Sequence, residues 1–123
     1  VILHLHEQSG TRSFTIVIGH FEAAEIRRKV MGHRSPRPMT HDLLREIIRD
    51  LGGELVAVAI DALKDGTFHA KLHVRVNGGV RHIDSRSSDA IALAVAAKVP
   101  ILVEEDVIQE TWELMKRQPR RDL

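Results

Sequence analysis

Two tight-turn signals in the middle of the chain place the strongest constraint on its fold. Asp65-Gly66 and Asn77-Gly78 are dipeptides typical of two-residue β-hairpin turns, because these residue types tolerate positive φ. The turns separate three strand patterns, at residues 55–63, 68–76 and 80–84. Consecutive strands joined by such turns pair antiparallel, and this excludes a doubly wound parallel sheet.

The rest of the chain adds strands and helices in a mixed order. Further strands are predicted at residues 1–6, 13–18 and 101–103, and helices at residues 21–31, 40–51, 89–98 and 104–117. The helix at 89–98 is apolar on almost every face and is therefore expected to be buried. The helix at 40–51 has an apolar stripe, and Glu25 and Lys29 form an outward-facing pair on the first helix.

This pattern predicts an α+β fold with a mainly antiparallel sheet and about four helices. We expect one compact domain over residues 1–117, followed by a polar tail at residues 118–123. The segment 85–88 is predicted to be a loop that leads into the buried helix.

Composition excludes several classes of protein. The 123 residues include 18 basic and 17 acidic side chains, so the bulk basicity typical of nucleic-acid-binding proteins is missing. No cysteine is present, which excludes disulfides and thiolate metal sites. No apolar stretch approaches the roughly 20 residues that span a bilayer, and no signal peptide is visible, so we expect a cytoplasmic protein without membrane contact.

Two junctions between a loop and a helix, at residues 38–42 and 84–89, are the candidate chemical site. Both place carboxylates and hydroxyls at a helix N-terminus, where free N–H groups favour anions. They carry the ligand types of a hard divalent cation, at His41, Asp42, Asp84 and Asp89, and Arg37 and Arg86 could hold a phosphate. The alternative is plain helix capping, with Thr40 and Ser88 as the N-caps.

Basic and histidine side chains give a second set of candidates. His41, Arg45 and Arg49 follow one ridge of their helix and could present a positive stripe to a nucleic-acid backbone, or could form an ordinary solvated face. The chain has eight histidines, and none has the spacing of a known zinc motif. Solvated positions on strand faces are the simpler interpretation of most of them.

Five motifs, in order, resemble the bifunctional nuclease domain family over roughly residues 1–108. They are IVIG with EAAEI at 16–26, PRPMTHDLL at 36–44, DGTFHA at 65–70, DSRSSDAIALA at 84–94 and PILVEE at 100–105. The resemblance implies a compact α+β fold with a barrel-like sheet, and a homo-oligomer that is a dimer or larger. It also implies nuclease activity on DNA and RNA, for which plant members of the family are named.

The family's characteristic residues fall on the same two junctions. They correspond here to Arg37, Thr40, His41 and Asp42, and to Asp84, Arg86, Ser88 and Asp89. Ser87 stands where the family usually has proline, and His69 where it usually has an aromatic residue. A strand that usually precedes the position of Val1 is expected before the present chain.

The leading hypothesis is a nuclease that hydrolyses phosphodiester bonds with little sequence preference. Asp84 and Asp89 would hold Mg²⁺ or Mn²⁺, and His41 with Asp42 would transfer protons. The phosphate backbone would be bound by the other junction residues: Arg37, Thr40, Arg86 and Ser88. The alternative is a non-catalytic oligomeric module that uses the same junctions to bind an anionic ligand or to regulate a partner.

Overall fold

The computed structural model describes residues 1–117, so the predicted tail at 118–123 lies outside them. Every predicted helix and strand is present within these residues. The order is β1 (Ile2–His6), β2 (Ser13–Val17), α1 (His20–Val30), α2 (Thr40–Asp50), β3 (Glu54–Lys64), β4 (Thr67–Val76), β5 (Gly79–Arg86), α3 (Ser87–Ala97), β6 (Ile101–Val103) and α4 (Glu105–Arg117).

The two predicted hairpins are confirmed by their backbone angles. Asp65 and Gly66 have φ of 51° and 77°, and Asn77 and Gly78 have φ of 51° and 78°. Positive φ at both central residues is the geometry of a type I′ turn, whose twist matches that of the paired strands. The hairpins build most of a four-stranded sheet of order β5-β4-β3-β6, in which only β6 runs parallel to its neighbour β3.

The fold is α+β and mainly antiparallel, as predicted, but the sheet does not close into a barrel. Its edges are β5 and β6, and β1 pairs with β2 in a separate two-stranded sheet. Within residues 1–117, no helix is long and apolar enough to cross a membrane.

The core lies between α3 and one face of the four-stranded sheet. Ile91 and Leu93 of α3 and Val58 and Ile60 of β3 are almost fully enclosed. This confirms that the helix without a polar face is buried, and α1 and α2 pack beside it. The arrangement sets the N-terminal ends of α2 and α3 close to the same face of α1.

The predicted loop at residues 85–88 is wrong, because the strand continues into the helix. Ser85 pairs with Ala70 and Arg86 with His69, so the ladder with β4 holds this segment extended until α3 begins at Ser87. Asp89 is therefore the third residue of α3.

The predicted N-caps are also wrong by a residue or more. Met39 and Arg86 occupy the N-cap positions of α2 and α3, and both have extended backbone angles. Thr40 is the first residue of α2 and Ser88 the second residue of α3, so neither serves as the cap that the sequence suggested.

The apolar stripe of α2 is mostly exposed. Leu43, Leu44, Ile47 and Leu51 all face solvent, whereas His41 is the buried residue of the helix and Ile48 packs against the core. The face of α2 that packs against α3 is therefore not the most apolar face of the helix.

Candidate functional site

A chain of polar contacts joins three helices at the N-terminal end of α3. The Asp89 carboxylate lies 3.0 Å from His41 Nε2 through Oδ1, and its Oδ2 accepts a hydrogen bond of 2.9 Å from Arg86 Nε. Arg86 Nη2 donates to Glu22 Oε1 of α1, also at 2.9 Å. We call these four residues the junction network.

Exposure of the side chain rises from His41 through Asp89 to Arg86 and falls again to 17% at Glu22. The side chain of His41 is 8% exposed, that of Asp89 30% and that of Arg86 68%. The network therefore runs from an enclosed imidazole to a guanidinium at the surface. A dissolved anion would meet Arg86 first.

The electrostatics of the junction network keep Asp89 ionised. Burial by itself raises the pKa of Asp89, but the hydrogen bonds from Arg86 and His41 outweigh it and hold that pKa below its usual range. The same contacts, with Asp89 first and Glu22 second, raise the pKa of Arg86. A fixed carboxylate beside an imidazole sets the orientation of the ring and the position of its proton.

His41 keeps one ring nitrogen out of this contact. Nδ1 is buried and has no hydrogen-bond partner among residues 1–117. In the tautomer in which Nε2 donates to Asp89, Nδ1 carries a lone pair. It is the atom of the network able to accept a proton from a ligand.

Asp42 does not orient His41, although the sequence pairs the two residues. Its Oδ1 contacts Lys29 Nζ of α1, and its Oδ2 accepts a hydrogen bond of 3.1 Å from the Met39 N–H. Burial alone raises the pKa of Asp42, but these two contacts lower it overall. Asp42 thus ties α1 to the start of α2, while Asp89 from the other junction contacts the imidazole.

Asp84 belongs to a different group of side chains. Its carboxylate is 80% exposed and lies 3.4 Å from Lys71 Nζ, which is also 3.2 Å from Asp61. Within residues 1–117, no three His, Asp or Glu side chains converge in a way that could hold a metal ion. In this arrangement Asp84 and Asp89 do not fit a divalent-metal centre.

The remaining predicted substrate-binding residues lie close in sequence to members of the junction network but form no hydrogen bond with it. Arg37 and Thr40 are exposed where the chain enters α2, and Ser88 is buried in the first turn of α3. None of the hydrogen bonds described for residues 1–117 joins these three side chains to His41, Asp89 or Arg86.

The ridge of His41, Arg45 and Arg49 is not one solvent-facing stripe. His41 is buried in the junction network, and Arg45 Nη1 donates to the Ala96 carbonyl at the end of α3, at 3.3 Å. Arg49 is exposed, and together with Arg45 it lines a cavity between α2, α3 and the start of β3. The ridge thus faces the rest of the fold over much of its length.

Sequence reasoning missed the contribution of α1. Glu22 is a member of the junction network, and Glu25 is 7% exposed, with both carboxylate oxygens buried and without a hydrogen bond. Arg28 Nη1 lies 3.1 Å from Glu25 Oε1, while Lys29 contacts Asp42, so the predicted outward Glu25–Lys29 pair is wrong.

The position of Glu25 can be deduced from its neighbours on α1. Glu22, Glu25 and Lys29 are spaced three and four residues apart and share one helix face. Glu22 contacts Arg86 and Lys29 contacts Asp42, so this face is turned towards the junction network. The sequence signal for this face is the spacing of Glu22 and Glu25 in EAAEI, which places two acids on one side of α1. Buried carboxylates need charged or hydrogen-bonding partners, so two acids on one side indicate that such partners lie opposite.

Comparisons with known proteins agree with the motifs. The sequence model of the bifunctional nuclease domain matches residues 1–115. Uncharacterized protein Rv1829 of Mycobacterium tuberculosis strain H37Rv is 42% identical over 114 residues, which cover 93% of this chain and 68% of that protein. Uncharacterized protein MT1877 of Mycobacterium tuberculosis strain CDC 1551 has the same identity and coverage. The chain belongs to the bifunctional nuclease domain family.

Proposed function

We propose that this chain is a nuclease that cleaves the phosphodiester backbone of DNA and RNA at the junction network. The observation that carries the proposal is the ionised Asp89 carboxylate held between His41 and Arg86. It places an oriented imidazole next to an exposed guanidinium, which are a proton-transfer group and a phosphate-binding group. Membership of the family supports the same activity.

Each member of the junction network has a distinct proposed role. Arg86 binds a phosphate oxygen through its Nη1 group, since its Nε and Nη2 groups already donate to Asp89 and Glu22. His41 accepts or donates the proton at Nδ1, while Asp89 fixes the ring through Nε2. Nδ1 is enclosed, so a substrate reaches it only after a local rearrangement. Arg37 and Thr40 belong to the exposed segment that leads into α2 and are proposed to contact the backbone on either side of the bound phosphate.

Assistance by a divalent metal is a separate proposal. Mg²⁺ or Mn²⁺ would supply charge stabilisation at the phosphate, and Asp84 and Asp89 would be its ligands only in an arrangement that brings the two carboxylates together. Because the two carboxylates belong to different ion-pair groups here, no step is assigned to a metal.

A second function is favoured by a specific observation. Both oxygens of Asp89 already accept from protein donors, and Nδ1 of His41 is enclosed. A network saturated in this way suits a module that binds an anion at Arg86 without reacting with it. The two functions share the binding site and differ in turnover.

Cleavage of labelled single- and double-stranded DNA and RNA by the purified protein tests the proposal. The reactions contain Mg²⁺, Mn²⁺ or a chelator, and Asp89→Asn is compared with Asp106→Asn. Asp106 is an exposed acid in the first turn of α4, so it matches Asp89 in residue type and helix position but lies outside the junction network.

We expect the wild-type protein and Asp106→Asn to cleave equally. Asp89→Asn should cleave at least about tenfold more slowly, because the His41 imidazole loses the carboxylate that orients it. Equal cleavage by all three proteins would place the activity elsewhere. A complete lack of cleavage would overturn the nuclease proposal in favour of the binding module. Cleavage by the wild-type protein with Mg²⁺ or Mn²⁺ but not with the chelator would establish the metal requirement.

A further inference from the structure

Two histidines face each other on the outer face of the four-stranded sheet, the face opposite α3. His73 of β4 is paired directly with His82 of β5, and their ring centroids are 4.4 Å apart. The neighbours of His73 in β4, Leu72 and Val74, point into the core, so the histidine points the other way. In the strand pairs described for residues 1–117, no other histidine lies opposite a second histidine.

The position of this pair in the hairpin brings the two side chains together. Val76 and Gly79 flank the two-residue turn and form a hydrogen-bonded pair, and the two kinds of pair alternate from there along the ladder. His73 and His82 are the third pair beyond it and are therefore a non-hydrogen-bonded pair, in which the Cα atoms lie only about 4.5 Å apart. Both side chains thus start close enough to reach one common atom.

The ring nitrogens of the pair are available to a ligand. Among the residues that the structure describes, the side-chain hydrogen bonds of histidines involve His41 alone. His82 is exposed and His73 is half-buried, so an ion in solution has access to both rings. A neutral imidazole is the commonest metal ligand among protein side chains.

The distance between the two rings matches ligation of a single metal ion. A metal about 2.0–2.1 Å from an imidazole nitrogen lies about 3.2 Å from the centroid of that ring. Two imidazoles at right angles on the metal then have centroids about 4.5 Å apart, whereas a tetrahedral angle separates them by about 5.2 Å. The observed 4.4 Å fits the right angle, which belongs to the tetragonal geometry that Cu²⁺ and Ni²⁺ adopt with nitrogen and oxygen ligands.

The charged side chains around the pair favour a cation. Lys71 and Arg75 lie on the same face of β4, on either side of the pair. Lys71 contacts the carboxylates of Asp61 and Asp84. Arg75 contacts that of Glu54. Three carboxylates thus outnumber two cations, and the net charge beside the histidines is negative.

We propose that His73 and His82 form a binding site for Cu²⁺, which Ni²⁺ also occupies with lower affinity. The two imidazoles supply adjacent nitrogen ligands, and water fills the other positions, because no group of three His, Asp or Glu side chains among residues 1–117 converges on one point. Cu²⁺ is the first-row divalent ion that such ligands bind most tightly. The site shares no residue with the junction network, and the proposal is independent of the nuclease function.

Titration of the chain with Cu²⁺, followed by calorimetry and by electron paramagnetic resonance, tests the site. The chain has no cysteine, so no thiolate competes for copper. His73→Ala and His82→Ala each remove one proposed ligand. His69→Ala is the matched control, because His69 lies on the same face of β4 but opposite Arg86.

We expect one tightly bound Cu²⁺ per chain, with a resonance spectrum that shows coupling to two imidazole nitrogens. His73→Ala and His82→Ala should bind it at least about tenfold more weakly, since losing a ligand costs no less than losing a residue that orients one. His69→Ala should bind it as the wild-type protein does. Cu²⁺ should also raise the melting temperature of the wild-type protein but not of His82→Ala, because a metal held by both strands binds only the folded state.

Three results would overturn the proposal. The first is equal affinity of the wild-type protein and His82→Ala, which would assign the copper to other histidines. The second is equal weakening by His69→Ala and His82→Ala. The third is weak uptake of several ions per chain without a tight first one, which would show an adventitious ion only.

Discussion

At the scale of single residues, Asp89 links the elements of the candidate site. It is bound by His41 of α2 and by Arg86 at the end of β5, and each contact uses one carboxylate oxygen. The sequence predicted one site from residues of the two junctions, and the structure brings His41 of one junction against Asp89 of the other. It could not show which acid contacts His41, because Asp42 is adjacent in sequence but is turned towards Lys29.

Asp89→Asn should lower the free energy of unfolding at neutral pH by about 1–2 kcal/mol, because two hydrogen bonds lose their charged acceptor. The pKa of Asp89 is lowered in the folded state, so its contribution is fully present above the unfolded-state pKa of about 3.9. It disappears as the pH falls through the lowered folded-state pKa. Urea unfolding of both proteins between neutral and acidic pH measures this, and a difference that does not shrink in acid would contradict it.

Glu25→Met should leave the free energy of unfolding unchanged or raise it, by up to about 1 kcal/mol. The enclosed carboxylate makes no hydrogen bond, and its ion-pair partner Arg28 is one-third exposed, so water can solvate the guanidinium once the acid is replaced by an apolar side chain of similar volume. Thermal and urea unfolding give the stability, and the nuclease assay gives the activity. Reduced activity at unreduced stability would identify Glu25 as a functional residue, whereas a loss of several kcal/mol would show that its pair with Arg28 is structural.

At the scale of elements, α2 and α3 show where sequence patterns are sufficient and where they are not. The nearly all-apolar α3 has only one stable location, so its burial follows from composition alone. The stripe on α2 is equally clear, yet Leu44 and Ile47 stay exposed while His41 is buried. Packing against α3 and the polar contacts of His41 decide the rotation of α2, and neither is visible in the periodicity of a single helix.

The same substitution should therefore have a large effect on stability in α3 and a small one in α2. Ile91→Ala in α3 should cost about 2–5 kcal/mol, because it opens a cavity in a closed core. Ile47→Ala in α2 should change the free energy of unfolding by less than about 1 kcal/mol, since the residue is 45% exposed and its truncation opens no enclosed cavity. Equilibrium unfolding by urea compares them, and similar costs at the two positions would show that the α2 stripe is covered.

At the scale of the whole molecule, ion pairs join different helices and strands to one another. Arg12 at the start of the second strand contacts Glu7 of the β1–β2 turn and Glu105 of α4. The network around Asp89 and the Lys29–Asp42 pair do the same for the three helices at the candidate site. Hairpin turns and periodicity predict the elements because those signals are local, whereas these contacts join residues far apart in sequence.

We expect the folded state to lose stability in acid. Arg12 lowers the pKa of Glu7 and of Glu105, and the pKa values of Asp42 and Asp89 are lowered as well. Groups with a lowered folded-state pKa stabilise the protein above pH of about 4 and lose that contribution as the pH falls further. Thermal unfolding followed by circular dichroism should give a constant melting temperature near neutral pH and a decline in acid.

Arg12→Ala should make that decline shallower, because Glu7 and Glu105 then titrate closer to their ordinary range. Lys116→Ala is a suitable control, since its contact with Glu113 lies within one helix at the surface. An acid transition unchanged by Arg12→Ala would show that the ion pairs of Arg12 do not contribute to the loss of stability in acid.

Nuclear magnetic resonance locates a bound phosphate backbone on the protein residue by residue. A short phosphorothioate oligonucleotide, which resists cleavage, is titrated into isotope-labelled protein at moderate salt. We expect the ring signals of His41 and the guanidinium signals of Arg86 to shift together and saturate, and Arg86→Gln to abolish the shift of the His41 ring. Shifts confined to other surfaces, or no shift at any concentration, would contradict the assignment of the junction network as the functional site.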